Sequence, residues 1–116
     1  MEGRIRDIGR SSPPPSRVQA RYVGLLRLTD AGASTVRARH ARLQARFGEG
    51  PWREGRTLRQ GYMTDFLQDL VEAGVAVHAV PVKRGWLEID SVSDYELALD
   101  WYRQGTIGRF CNLDRA

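Results

Sequence analysis

The sequence has few of the residues that would build several common kinds of site. It contains one cysteine, Cys111, so it can form neither an internal disulfide nor a zinc site made of several cysteines. Nothing around Cys111 indicates a nucleophile, and we interpret it as a small hydrophobic residue of the tail. No apolar run approaches the roughly 20 residues of a membrane span, and the N-terminus is charged rather than signal-like. These absences predict a cytoplasmic protein that contacts no membrane.

Lysine is also scarce, and arginine takes its place. Of the 18 basic residues only Lys83 is a lysine, and the formal net charge is +4. Such a balance is compatible with phosphorylated ligands or nucleic acid as partners. The arginines are spread along the whole chain, however, and no nucleic-acid motif contains them. We therefore expect weak affinity for polyanions, and a non-catalytic module that binds anions or nucleic acid through a basic helix stays as the alternative function.

The hydrophobic pattern predicts an α/β fold, with helices packed on a sheet. With 116 residues, the chain is long enough for one domain, 1–116, with a small core. The predicted strands are 4–9, 20–28, 75–82 and 86–90. The predicted helices run from Thr29 or Asp30 to Phe47, from Met63 to Gly74 with Thr64 as the cap, and from Ser93 to near Gly105. Residues 1–19 combine a short strand with a proline-rich loop, and 48–56 form a loop. Residues 106–116 form a tail that is expected to pack back through Ile107, Phe110 and Leu113.

Two carboxylates near the last predicted strand are the first candidate site. In a strand over 86–90, Leu87 and Ile89 point into a core, whereas Glu88 and Asp90 share the opposite face. The next helix has a start signal, with Ser93 as the predicted N-cap. Paired acids at such a position are plausible ligands for a hard cation such as Mg²⁺. The alternative is that both are solvated acids at the end of a strand.

The helix start after this pair has a recognisable spacing. Glu96 follows Ser93 by three residues, which predicts a capping box. Val92 and Leu97 are placed for a hydrophobic staple around the same turn.

The predicted strand 20–28 supplies the second candidate site. Tyr22 and Gly24 share a face with two leucines, and glycine leaves room for a ligand or another backbone. Elsewhere, Trp52 is predicted to be a packing anchor or the cover of a pocket. We expect His40 at the surface and His78 buried with its hydrogen bonds satisfied.

The segment 86–96, Trp-Leu-Glu-Ile-Asp-Ser-Val-Ser-Asp-Tyr-Glu, resembles the closing motif of the sugar-nucleotidyltransferase superfamily, especially its phosphocholine cytidylyltransferase-like branch. Segments 21–29 and 62–70 are similar to the family's acceptor-side strand and to a following helix. The resemblance implies that Asp90 binds the catalytic Mg²⁺, with Glu88 as a possible second ligand. It also implies that Tyr22 and Gly24 line the acceptor pocket.

The same resemblance implies a fold and an activity. The fold would be part of the Rossmann-like, three-layer nucleotide-diphospho-sugar transferase domain, with a mixed sheet. The activity would be nucleotidyl transfer from an NTP to a sugar 1-phosphate or a phosphocholine-type phosphate, with release of pyrophosphate. The family's Gly-rich nucleotide-binding loop has no counterpart here. We therefore expect a C-terminal half that is inactive alone. It would pair with a separately encoded N-terminal-half polypeptide or form a homodimer, or else be a truncated gene product.

Overall fold

The computed structural model describes residues 3–8 and 14–111. The chain divides into two compact units, residues 1–80 and 81–116, and each is described by itself. The regular elements are α1 (Asp30–Phe47), β1 (Pro51–Arg53), β2 (Arg56–Thr57) and α2 (Met63–Glu72) in the first unit, and α3 (Val92–Arg103) in the second. Helices thus combine with a small two-stranded sheet, which is compatible with an α/β fold.

Helix α1 begins and ends where the sequence predicts. Thr29 is its N-cap, and the Thr29 hydroxyl accepts a hydrogen bond from the Gly32 backbone N–H at 3.0 Å. Asp30 in the first turn interacts favourably with the positive end of the helix dipole. The helix ends at Gly48, whose positive φ of 52° is accessible to glycine at little cost.

The predicted loop 48–56 contains a hairpin. β1 pairs antiparallel with β2, and the connection is Glu54-Gly55, with φ values of 49° and 76°. Two successive residues with positive φ give a tight turn whose twist matches that of the flanking strands. Prediction of a loop here was wrong because the strands are too short to show an alternating pattern.

Helix α2 begins at Met63, as predicted, but its cap is different. Tyr62 is the N-cap, and its backbone N–H donates to the Asp65 carboxylate at 2.9 Å. The predicted cap, Thr64, lies inside the helix. Gly74, with φ of 84°, follows the last turn and ends the helix as expected.

The core of the first unit lies between its two helices. Leu43 of α1 and Leu67 and Leu70 of α2 are buried. Two polar residues of α2 are buried with them, and both have partners. Gln68 accepts a hydrogen bond from the Ile8 backbone N–H at 2.8 Å, and Asp69 accepts one from Arg39 Nε at 2.5 Å.

The longer predicted strands are not formed within the described residues. Segments 20–28, 75–82 and 86–90 contain no strand, and one antiparallel bridge, Arg4 with His78, joins 3–8 to the second of them. A strand persists only where its backbone groups find a neighbouring strand, and a single bridge does not supply a ladder. The predicted strand 20–28 also bends at Gly24, whose φ is 82°.

Side chains that such a sheet would bury are therefore exposed. Leu25 is 70% exposed in the first segment and Val80 is 85% exposed in the second. In the third segment Ile89 is 51% exposed. His78 is exposed as well, so the prediction that it is buried was wrong.

The second unit is organised around α3. Ala98 is its buried residue, and the ring of Trp101 stacks on that of Phe110 at 4.3 Å between centroids. The tail thus packs back through Phe110 as predicted. Cys111 is partly buried, and Leu113 lies outside the described residues. Across 3–8 and 14–111, no helix combines the length and the apolar character needed to cross a membrane.

Candidate functional site

Asp90 lies directly before the cap of α3, and its side chain is exposed. Its carboxylate makes neither an ion pair nor a hydrogen bond with any described residue, whereas its backbone N–H donates to Asp94 Oδ2 at 3.1 Å. The backbone at Asp90 is thus held while both carboxylate oxygens are available. A carboxylate that no described protein group engages can take a hard cation without first giving up a partner.

The start of α3 is held by Ser91 and Asp94, two residues before the predicted box. Asp94 Oδ2 accepts hydrogen bonds from the Ser91 backbone N–H at 2.9 Å and from the Ser91 hydroxyl at 2.7 Å. The Asp94 backbone N–H donates back to Ser91 Oγ at 3.2 Å, which completes a capping box. The predicted box of Ser93 and Glu96 was therefore wrong, since both residues lie within the helix.

The hydrogen bonds at the start of α3 also stabilise the ionised form of Asp94. The hydrogen bond from the Ser91 hydroxyl, followed by those from the Asp90 and Ser91 backbone N–H groups, lowers the pKa of Asp94 below its usual value. Asp94 is the residue that the sequence analysis missed. The spacing Ser91-Val92-Ser93-Asp94 matches the box with aspartate in place of glutamate, and it could have been found.

Glu88 is exposed on the same segment as Asp90, two residues earlier. The described residues hold no cluster of three or more His, Cys, Asp or Glu side chains that could bind a metal. Two carboxylates are nevertheless a usual protein contribution to a Mg²⁺ site, because that ion keeps several waters and takes its other ligands from substrate phosphates. The carboxylates of Asp90 and Glu88 are of the donor type that Mg²⁺ takes.

The two residues of the predicted acceptor site lie in the first unit. Tyr22 is partly buried and Gly24 is exposed. A Cβ placed on Gly24 would meet nothing within 4 Å, so no close approach of another group explains the glycine. Its positive φ does, because side-chain-bearing residues rarely adopt that conformation.

Comparisons with known proteins give one distant similarity. A CTP:phosphoglutamine cytidylyltransferase from Campylobacter jejuni is 29% identical over 98 residues, which make up 84% of this chain and 37% of that protein. The chain therefore spans well under half the length of the relative that it matches. No model of a protein family matches the sequence, and no solved structure matches the chain. The similarity supports a nucleotidyltransferase-like relationship.

Proposed function

We propose that this chain is the acceptor- and Mg²⁺-binding half of an NTP-dependent nucleotidyltransferase, with Asp90 as the principal metal ligand. The observation that carries the proposal is the exposed, unengaged Asp90 carboxylate at a firmly capped helix start, in a chain with 29% identity to a cytidylyltransferase. The acceptor would be a sugar 1-phosphate or a phosphocholine-type phosphate.

The reaction proposed is a single displacement at phosphorus. An oxygen of the acceptor phosphate forms a bond to the α-phosphorus of the NTP. The bond from that phosphorus to the bridging oxygen breaks, and pyrophosphate leaves with the electron pair. Bound Mg²⁺ would neutralise charge on the phosphates. Asp90 and Glu88 would hold the ion, and Tyr22 and Gly24 would position the acceptor.

We propose that the chain has little or no transferase activity alone. Two carboxylates without a phosphate-binding loop hold Mg²⁺ weakly, because the hydrated ion gives up water only where several oxygens replace it. The exposed apolar residues of 20–28, 75–82 and 86–90 support a need for further strands. An N-terminal-half polypeptide, or a second copy of this chain, would then complete a Rossmann-like, three-layer domain in the cytoplasm.

Calorimetric titration of Mg²⁺ with CTP tests the metal assignment. We compare the wild-type chain with Asp90→Asn, which removes the charge and keeps the shape. Glu96→Gln is the matched control, because Glu96 is an exposed acid of α3 outside the cap. The expected result is a loss of Mg²⁺ affinity of about tenfold or more in Asp90→Asn, since one of two carboxylate ligands is lost. Glu96→Gln should match the wild type, and equal binding by all three proteins would refute the assignment.

The alternative function, binding of anions or nucleic acid, is supported by one observation on α1. Arg46 is exposed and pairs with no described carboxylate, and its guanidinium lies 5.1 Å from the centroid of the Phe47 ring. Binding through such a residue would weaken steeply as salt is raised. A salt-dependent affinity for nucleic acid that Arg46→Gln reduces would favour this function over the enzymatic one.

A further inference from the structure

A cleft of about 420 Å³ opens in the first unit between α1 and the start of α2. Its walls include Val36, Arg37, His40, Trp52, Met63 and Phe66. Clefts of roughly 300–1,000 Å³ are typical of sites for small ligands. Neither the proposed metal ligands nor the proposed acceptor residues line this cleft, so an activity here would be separate from the proposed function.

The aromatic walls of the cleft are held in place. The indole of Trp52 lies so close to Gly61 that a Cβ on Gly61 would come within 2.6 Å of the ring atom Cζ3. The ring of Phe66 meets that of His40 edge-on, at 6.2 Å between centroids. Flat aromatic surfaces held in this way are suited to a planar ligand ring, which they contact without reorganising.

The charge at the cleft is positive. The guanidinium of Arg37 donates to the neutral Ser34 hydroxyl at 3.3 Å and pairs with no described carboxylate. By contrast, Arg53 and Arg56 are already paired with carboxylates. Arg53 pairs with Glu72 at 2.7 Å, and Arg56 pairs with Asp65 at 2.8 Å. Among the described residues that line the cleft, none carries a carboxylate. An anionic ligand group would therefore meet a guanidinium that is not already neutralised.

We propose that this cleft binds a small ligand in which a planar aromatic ring carries a phosphate or similar anionic group. The ring lies against Trp52 and Phe66, and the anionic group meets Arg37. The His40 imidazole supplies a further N–H donor at the same wall. Nucleotides, whose phosphate is carried on the sugar, and aryl phosphates both combine a planar ring with an anionic group.

The test is a calorimetric titration of the full chain with naphthyl phosphate, with amide spectra recorded by NMR to locate the site. Two control compounds are titrated in the same way: naphthol, which has the aromatic ring without the phosphate, and inorganic phosphate, which has the anion without the ring. We expect naphthyl phosphate to bind about tenfold or more tightly than either, because it makes both kinds of contact. Resonances of the Trp52 indole and of Gly61 should shift. Tighter binding of CMP than of naphthyl phosphate would identify a nucleotide as the ligand, and weaker binding would favour an aryl phosphate.

Two variants separate the contributions of charge and shape. Arg37→Gln should weaken naphthyl phosphate binding about tenfold, because it removes a charged hydrogen-bond donor. Arg42→Gln on the same helix should leave binding unchanged. Gly61→Ala, at a backbone conformation open to alanine, should displace Trp52 and weaken binding of naphthol too.

The Asp90→Asn variant separates this proposal from the proposed function. It lacks the proposed metal ligand, and it should bind naphthyl phosphate with the affinity of the wild type. The proposal is overturned if naphthol binds as tightly as naphthyl phosphate, or if Arg37→Gln behaves like Arg42→Gln. Should Gly61→Ala unfold the chain, as judged by circular dichroism, the Arg37→Gln comparison decides alone.

Discussion

At the scale of single residues, Asp94 positions the chain next to the proposed metal ligand. It accepts hydrogen bonds from the backbone N–H groups of both Asp90 and Ser91. Because those donors stabilise the ionised carboxylate, the pKa of Asp94 is lowered in the folded chain, first by the Ser91 hydroxyl. The backbone at Asp90 is thus held by the carboxylate of Asp94.

The first prediction concerns the pH dependence of this cap. A carboxyl group whose pKa is lowered by folding contributes stability above its unfolded value, near 3.8, and loses that contribution as the pH falls through the folded value. The protection of the first-turn amides of α3 against hydrogen exchange, relative to their intrinsic exchange rates at each pH, should therefore fall on acidification below that pH. Asp94→Asn should remove this dependence, whereas Asp100→Asn, an exposed acid of the same helix, should keep it. Retained dependence in Asp94→Asn would contradict the role assigned to Asp94.

The sequence indicated candidate residues but not the hydrogen bonds around them. Asp90 and Glu88 were proposed from spacing and resemblance, and their role in metal binding stays a prediction. The Asp90 side chain is exposed, and no described residue engages its carboxylate. The capping box was predicted two residues late, because two serines at 91 and 93 each precede an acid by three residues. Spacing alone does not distinguish these two registers, because both match the pattern of a capping box.

At the scale of elements, α2 is held by ion pairs along one row of acids. Asp65, Asp69 and Glu72 pair with Arg56, Arg39 and Arg53, respectively. Burial disfavours the charged form of Asp65, but the Tyr62 N–H and Arg56 outweigh it, so the pKa of Asp65 is lowered. Three of the arginines thus form ion pairs that hold α2 in place. The high arginine content of the chain therefore has in part a structural role.

The second prediction tests the most buried of these pairs. Arg39→Gln should reduce the free energy of unfolding by about 2 kcal/mol, because it leaves the buried Asp69 carboxylate without its cation. The value is below that of a fully buried pair because Arg39 is 30% exposed. Arg42→Gln, on the same helix without a described ion pair, should change stability by less than about 0.5 kcal/mol. Urea denaturation measures both, and equal effects would contradict the structural role of the pair.

Helices were predicted well from the sequence and strands were not. α1 and α2 have local start and stop signals, such as Thr29 and Gly74, that depend on a few neighbouring residues. Strands depend on partners distant in the sequence. The apolar sequence of a segment such as 75–82 indicates that the segment is suited to a β-strand. It does not indicate which other strand would pair with it.

At the scale of the whole molecule, few apolar side chains of the described residues are buried. Among the described residues, Leu43, Leu67, Leu70 and Ala98 form the buried apolar set. Many larger hydrophobic side chains are exposed, Val80 and Leu25 among the most. Exposed apolar surface can mark an interaction site. The exposed side chains support the proposed need for a partner that completes the sheet.

The third prediction follows from that surface. Leu25→Lys should reduce self-association of the isolated chain, because it replaces an exposed apolar side chain with a charge and leaves the helical core untouched. Gln19→Lys introduces the same charge at an exposed polar position nearby and should have little effect. Sedimentation velocity measures both. If the wild-type chain is a monomer throughout, the surface does not mediate self-association.

The central claim, that Asp90 binds the metal of a nucleotidyltransferase reaction, is tested most directly by NMR of the isolated chain with CTP and Mn²⁺ in place of Mg²⁺. Paramagnetic broadening detects weak binding, which is the regime expected of two carboxylates. We predict that resonances of residues 88–90 broaden first in the wild type and that Asp90→Asn abolishes this effect while Glu96→Gln preserves it. Broadening centred elsewhere, or unchanged in Asp90→Asn, would contradict the claim.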